Sequence, residues 1–181
     1  MRKKRGKKSQ VWVETVIYTL IGLAIMGGLI AAVTPRINKM LDKATLEQTI
    51  ASLDNIDDQI RGTLASAGNQ WPIEVTLKKG EYVIDGQNNS IYYVLRNTNY
   101  LASQLNDPVR LSTQEGIVML TRENAKKNYD VYLTLSYASL GINLTYAGAD
   151  TPKTLTPASV SYKLLIINQD GPNKQVDIRP I

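Results

Sequence analysis

Val11-Trp12-Val13-Glu14-Thr15-Val16-Ile17-Tyr18-Thr19-Leu20-Ile21-Gly22-Leu23-Ala24-Ile25-Met26-Gly27-Gly28-Leu29-Ile30-Ala31-Ala32-Val33 is the stretch that decides the fold. Between Glu14 and Arg36 it carries no charge. A helix of this length crosses a bilayer core of about 30 Å at about 1.5 Å per residue. Its Leu, Ile, Val, Ala and Gly content is that of a spanning helix. No other part of the chain approaches this hydrophobicity, so one N-terminal membrane span is expected.

The flanks give the span a direction. Residues 1–9 contain Arg2, Lys3, Lys4, Arg5, Lys7 and Lys8 and no acid, whereas Arg36, Lys39 and Lys43, offset by Asp42, follow the run. The more basic flank stays in the cytoplasm, which places the C-terminal bulk outside the cell. A cleavable secretory signal ending at Ala31-Ala32 is the rival reading, but the apolar run exceeds the usual length of such a signal core.

The chain's 181 residues include 21 Lys+Arg, 16 Asp+Glu, no Cys and no His, for a net charge of +5. Setting aside the six basic residues of the head leaves 15 basic against 16 acidic. The surplus therefore belongs to the head and argues against a nucleic-acid partner for the rest. Without Cys there are no disulfides and no thiol nucleophile, and without His there is no Ser-His-Asp triad. No phosphate-binding glycine loop or metal-ligand spacing occurs. The expectation is a protein that is not an enzyme and needs no cofactor.

Glu14 is the one acid inside the run, and a carboxylate at membrane depth is costly. It lies at headgroup level or awaits a cationic partner. Lys7-Lys8-Ser9-Gln10-Val11-Trp12-Val13-Glu14 resembles the processing site of archaeal type IV pilins, the class III signal peptide. The resemblance implies that a prepilin peptidase recognises Lys7 and Lys8 and cuts between Ser9 and Gln10. Gln10 then becomes the first mature residue and Glu14 the fifth. Ser9 departs from the family's usual Gly. The resemblance covers about residues 1–35. It implies a subunit of a surface filament, held in the membrane before assembly. Its partners would be further copies of itself, the peptidase, an assembly ATPase and a membrane platform protein. It also gives Glu14 a role: pairing with the new α-amino group of Gln10 in a dry filament core, in the same or a neighbouring chain. Surface adhesion is the expected task of the filament. An archaellin, a minor pilin or pseudopilin, and an unprocessed single-span surface protein are the alternatives.

Helical signals continue beyond the run. Ile37, Met40, Leu41, Ala44, Leu46, Ile50, Leu53, Ile56, Ile60 and Leu64 recur at three- and four-residue steps. This amphipathic part, residues 36–67, is expected to end at Ala67-Gly68-Asn69. Pro35 is a kink site, or with Thr34 the start of a second helix, and Gly27-Gly28 is a soft point. Asp54, Asp57 and Asp58 fall at i, i+3 and i+4. They are read as a solvated face rather than a metal site.

From residue 70 to 181 strand signals replace helical ones. Strands are expected at 73–77, 81–84, 91–95, 116–120, 131–137, 142–146, 160–168 and 174–178. Turns are expected at 85–90, at 139–141 and at 169–173. The expected fold is α+β: a leader over 1–9, a helix over 10–69 with its membrane or filament-core part at 11–33, and an antiparallel β-sandwich-like domain over 70–181. The helix stripe is expected to cap one face of that domain. Nine of the ten Tyr lie there, suited to sheet packing or to a contact surface. Two sequons, Asn88-Asn89-Ser90 and Asn143-Leu144-Thr145, are candidate N-glycosylation acceptors outside the cell. Asn88 falls in an expected loop and Asn143 near a strand start.

Overall fold

One helix, α1, runs from Lys7 to Thr63, and ten strands follow it among the described residues. The computed structural model describes residues 7–65, 68–111, 116–169 and 174–181, with side chains described from Trp12 onward. The chain divides into two units, Met1–Met40 and Leu41–Ile181.

In the first unit, α1 passes through Gly27, Gly28 and Pro35 without interruption. Thr34 does not cap a second helix. Its hydroxyl donates back to the Ile30 carbonyl at 2.7 Å, inside the helix. From Trp12 to Leu41 every residue is exposed except Gly22, which is intermediate.

The second unit begins with the C-terminal part of α1. Its buried residues are Asp42, Leu46, Thr49, Leu53, Ile56, Ile60 and Thr63, at alternating steps of four and three. That spacing keeps them on one narrow stripe of the helix. Thr49 and Thr63 fit the stripe because each hydroxyl donates to a carbonyl one turn back, Thr45 at 2.8 Å and Gln59 at 2.7 Å. The expected stripe is thus corrected at its N-terminal end: Ile37, Met40 and Leu41 are exposed, at 49%, 72% and 59%. The helix also stops earlier than expected. After Thr63 the Leu64 N–H bonds to the Arg61 carbonyl in a tighter turn. Of the expected terminator, Gly68 does take a left-handed φ of 76°, while Ala67 lies outside the described residues.

The strands are β1 (Gln70–Val75), β2 (Glu81–Asp85), β3 (Ser90–Thr98), β4 (Val109–Arg110), β5 (Val118–Glu123), β6 (Tyr129–Ser136), β7 (Asn143–Tyr146), β8 (Lys153–Leu155), β9 (Tyr162–Gln169) and β10 (Gln175–Pro180). They form a four-stranded sheet, β1-β9-β10-β7, and a six-stranded sheet, β4-β5-β6-β3-β2-β8. All neighbours pair antiparallel except β7 and β10, which are parallel. A 3-10 turn, Ala138–Leu140, ends at Gly141 in the left-handed region and makes the expected reversal. The β9–β10 turn residues 170–173 lie outside the described residues, but the two strands pair as a hairpin.

Alternation explains the burial. On β3, Ile91, Tyr93 and Leu95 enter the core; on β6, Val131, Leu133 and Leu135 do so. From the smaller sheet come Ile73, Val75, Leu144, Leu164, Ile166, Val176 and Ile178. Leu46, Leu53, Ile56 and Ile60 of α1 belong to the same cluster, so helix stripe and both sheets close one core. The fold is α+β.

Three tyrosines are core residues. Tyr82 and Tyr93 pack ring to ring, centroids 5.2 Å apart and tilted by 58°. The Tyr93 hydroxyl donates to the Lys79 carbonyl at 2.8 Å. Gly80 has φ 80°, and a Cβ there would strike the Tyr93 ring. Tyr92 and Tyr132 lie half-exposed on the opposite face of the larger sheet, with the Arg122 guanidinium 5.6 Å from the Tyr132 ring centre.

Leu53→Ala removes a side chain with no exposure and should destabilise the protein by roughly 2–5 kcal/mol in denaturant titration of the detergent-solubilised chain. Met40→Ala should leave the midpoint unchanged. Burial pushes the Tyr82 pKa up to about 12 and moves those of Tyr93 and Tyr137 upward too. A raised folded-state pKa keeps these phenols protonated where the unfolded chain ionises. Stability should therefore hold up to about pH 10 and fall between about pH 10 and 12, by roughly 3 kcal/mol for Tyr82 alone. Unfolding midpoints against pH, alongside a spectroscopic tyrosine titration, check this, and Tyr82→Phe should flatten the slope.

Candidate functional site

The residues singled out by sequence before Arg36 all fall on α1. Lys7, Lys8, Ser9 and Gln10 form the first part of α1, and their side chains lie outside the described residues, as do residues 1–6 of the expected 1–9 leader. Glu14 is exposed one helical turn after Gln10. Four residues of helix put the backbone nitrogen of Gln10 about 6 Å along the axis from Glu14. Gly27, Gly28 and Pro35 sit further along the same exposed segment.

That segment is the main chemical fact of the first unit. Trp12, Ile17, Leu20, Leu23, Met26, Leu29 and Ile30 are exposed at 48–74%. Together with exposed Ile21 and Ile25 they occupy all sides of the helix rather than one stripe, and none of the apolar window is covered. Soluble chains rarely expose so large a contiguous apolar surface, because water-contacting apolar area is unfavourable in proportion to its extent. The helix is long and apolar enough to cross a membrane.

In the second unit the decisive group is one that sequence reading passed over. Asp42 was counted there only as an offsetting surface charge. It is 3% exposed and heads the buried stripe of α1. The Thr98 hydroxyl, at the end of β3, donates to its Oδ2 at 2.6 Å, and Lys79, just before β2, forms an ion pair with Oδ1. Three separate chain segments thus meet at one carboxylate. The available signal was its position: Asp42 is in heptad register with Thr49 and Ile56.

The acidic trio resolves differently from expectation. Asp54 and Asp58 are exposed, but Asp57 is partly buried and accepts from Arg61 Nε at 2.8 Å. Partial burial, then the charges of Asp58 and Asp57, raise the Asp54 pKa. Among the described residues no group of carboxylates is disposed to hold a metal ion. Asp57 instead faces Tyr137, whose ionisation is pushed up by burial and then by that carboxylate. Asp57 Oδ1 and the Tyr137 hydroxyl remain without a regular hydrogen bond. A second buried carboxylate, Asp177, is fully satisfied. It accepts from Thr145 Oγ1 at 2.7 Å, the Gly148 N–H at 2.8 Å and Arg179 Nε at 2.8 Å.

Comparison with family models, curated proteins and solved structures finds no match. The architecture, a single long apolar N-terminal helix followed by β-sheets, is compatible with that of pilins.

The two ends of the Asp42–Lys79 pair should respond unequally to mutation. Lys79 is 48% exposed and Asp42 5% by side chain, so losing the lysine strands a buried charge, whereas losing the acid frees a solvated one. Lys79→Met should cost about 2–3 kcal/mol, and Asp42→Asn about 1 kcal/mol. Denaturant titrations of both single variants and the double variant check this. The double variant should be more stable than Lys79→Met alone.

Proposed function

We propose that this chain is the structural subunit of an archaeal type IV pilus-like surface filament, made as a membrane-held precursor and cut by a prepilin peptidase between Ser9 and Gln10. The observation that carries the reading is the apolar surface exposed around the whole of α1 from Trp12 to Leu41. Lipid covers such a surface in the precursor, and the same segments of neighbouring copies cover it in a polymer. The Lys7–Glu14 pattern supports processing, since it places a new α-amino group one turn from the only acid in the run.

A simple anchor accounts for less of the surface. Trp12 to Pro35 spans about 36 Å as a helix, which already exceeds a bilayer core of about 30 Å. Ile37, Met40 and Leu41 lie beyond Arg36, the first charge after the run, and are exposed as well. Contacts between copies give these three side chains a cover that lipid does not. The second unit then forms the outer part of the filament, and the half-exposed Tyr92 and Tyr132 suit an adhesive or subunit-contact surface. In this reading the protein has no catalytic role and takes no cofactor. Its partners are further copies of itself, the peptidase, an assembly ATPase and a platform protein.

Glu14→Leu separates assembly from expression. The variant should reach the membrane at the wild-type level and be processed, yet give at least a tenfold lower yield of sheared filaments. Immunoblots of membrane and filament fractions, with electron microscopy, make the comparison. Wild-type filaments should contain a subunit whose N-terminal residue is Gln10. Undiminished filaments in the variant remove the role given to Glu14, and a chain still starting at Met1 in the membrane favours the anchor.

A further inference from the structure

The two sequons occupy different structural settings. Asn88 lies in the turn between β2 and β3 and is exposed. Its backbone N–H and its Nδ2 both donate to the Asp85 carboxylate, at 3.1 and 2.7 Å. The next residue fixes the turn: Asn89 has φ 47°, its Oδ1 accepts the Leu144 N–H at 2.9 Å, and its carbonyl accepts the Tyr137 N–H at 2.8 Å. Asn89 is thus tied to the body of the domain, and Asn88 is left at the surface.

Asn143 is the half-buried first residue of β7, in parallel register with Gln175 of β10. Its N–H bonds to the Lys174 carbonyl at 3.2 Å. Thr145, which completes this sequon, is 2% exposed with its hydroxyl held by Asp177.

We propose that Asn88 is an N-glycosylation acceptor and that Asn143 is not. The inference rests on the second unit lying outside the cell. The donor is an oligosaccharide carried on a polyisoprenyl phosphate or pyrophosphate lipid. In the transfer, Nδ2 of Asn88 bonds to the anomeric carbon of the sugar, the bond from that carbon to the lipid phosphate oxygen breaks, and the lipid phosphate leaves with the electron pair. Nδ2 gives up one proton and keeps the other, so one N–H remains to bond to Asp85. The hydroxyl-bearing Ser90 is only 7% exposed, which puts the transfer before the β2–β3 hairpin closes onto the core. The finished fold then accepts a glycan at the open turn, whereas at Asn143 it would meet a side chain already half covered beside β10.

Peptide mapping by mass spectrometry of the full chain, purified from cells that make filaments, tests this directly. The Asn88 peptide should carry glycan mass and the Asn143 peptide none. Asn88→Gln and Ser90→Ala should each abolish the increment, and Asn143→Gln should leave it unchanged. Absence of glycan on Asn88, or glycan on Asn143, overturns the proposal. The Cys-free sequence supplies the control for location: Ser159→Cys, at an exposed position, is labelled with a membrane-impermeant maleimide in intact cells. Labelling without glycan overturns the modification and leaves the surface location standing. Labelling only after lysis overturns the location and the modification with it.

Discussion

The second unit depends on one stripe of seven positions, from Asp42 to Thr63, that sets α1 against both sheets. Its steps of four and three match the helical repeat, so each position meets the core in turn. Leu53 and Ile60 have no exposure, and they share a cluster with residues of nine strands. The stripe and the inner faces of both sheets bury one another's apolar side chains in that cluster. Removing the stripe would expose apolar faces on both sheets at once. The two threonines in it, Thr49 and Thr63, cause no loss because their hydroxyls are satisfied within the helix.

Apolar side chains occur on both sides of the point where burial begins, so a single apolar residue does not mark the boundary between the two units. Ile37, Met40 and Leu41 are as apolar as Leu46, yet they are exposed. The change comes at Asp42, where a carboxylate takes the first buried position and draws in Lys79 and Thr98. A buried ion pair adds little net stability compared with an apolar pair of the same shape, but it is intolerant of displacement, since any shift strands a charge. That intolerance suits a group that fixes which helical turn meets β2 and β3. A leucine in its place would pack acceptably in several neighbouring positions.

Much of this was legible in the sequence because the physical signals were local. Period-two alternation located eight strands, and the turn chemistry of Asp85–Ser90 and Ser139–Gly141 located two reversals. β4 and β8 were missed because two or three residues cannot display a period. The helix end was placed late because Leu64 continues the apolar spacing, while the chain in fact tightens after Thr63 to begin β1. Asp42 was illegible for a different reason. A lone acid between Leu41 and Lys43 reads as surface charge, and its partners are 37 and 56 residues away. Asp57 was misread in the same way, since its neighbours Asp54 and Asp58 are solvated and it alone turns to Arg61 and Tyr137.

Charge distribution links the proposed life of the precursor to that of the polymer. The six basic residues of the head supply the excess that would orient a span, and the rest of the chain is close to neutral. If the head is removed once its orienting task is complete, the surplus is removed with it. Many near-neutral copies then pack side by side with little net repulsion to oppose the burial of their apolar helices. In the proposed polymer the only acid in the run would pair with the amine that cleavage creates, so one cut would both discharge the head and supply Glu14 with a cation. Uncut, the chain would carry a cluster of like charges into every contact between copies, and its apolar segment would be better covered by lipid than by its own kind.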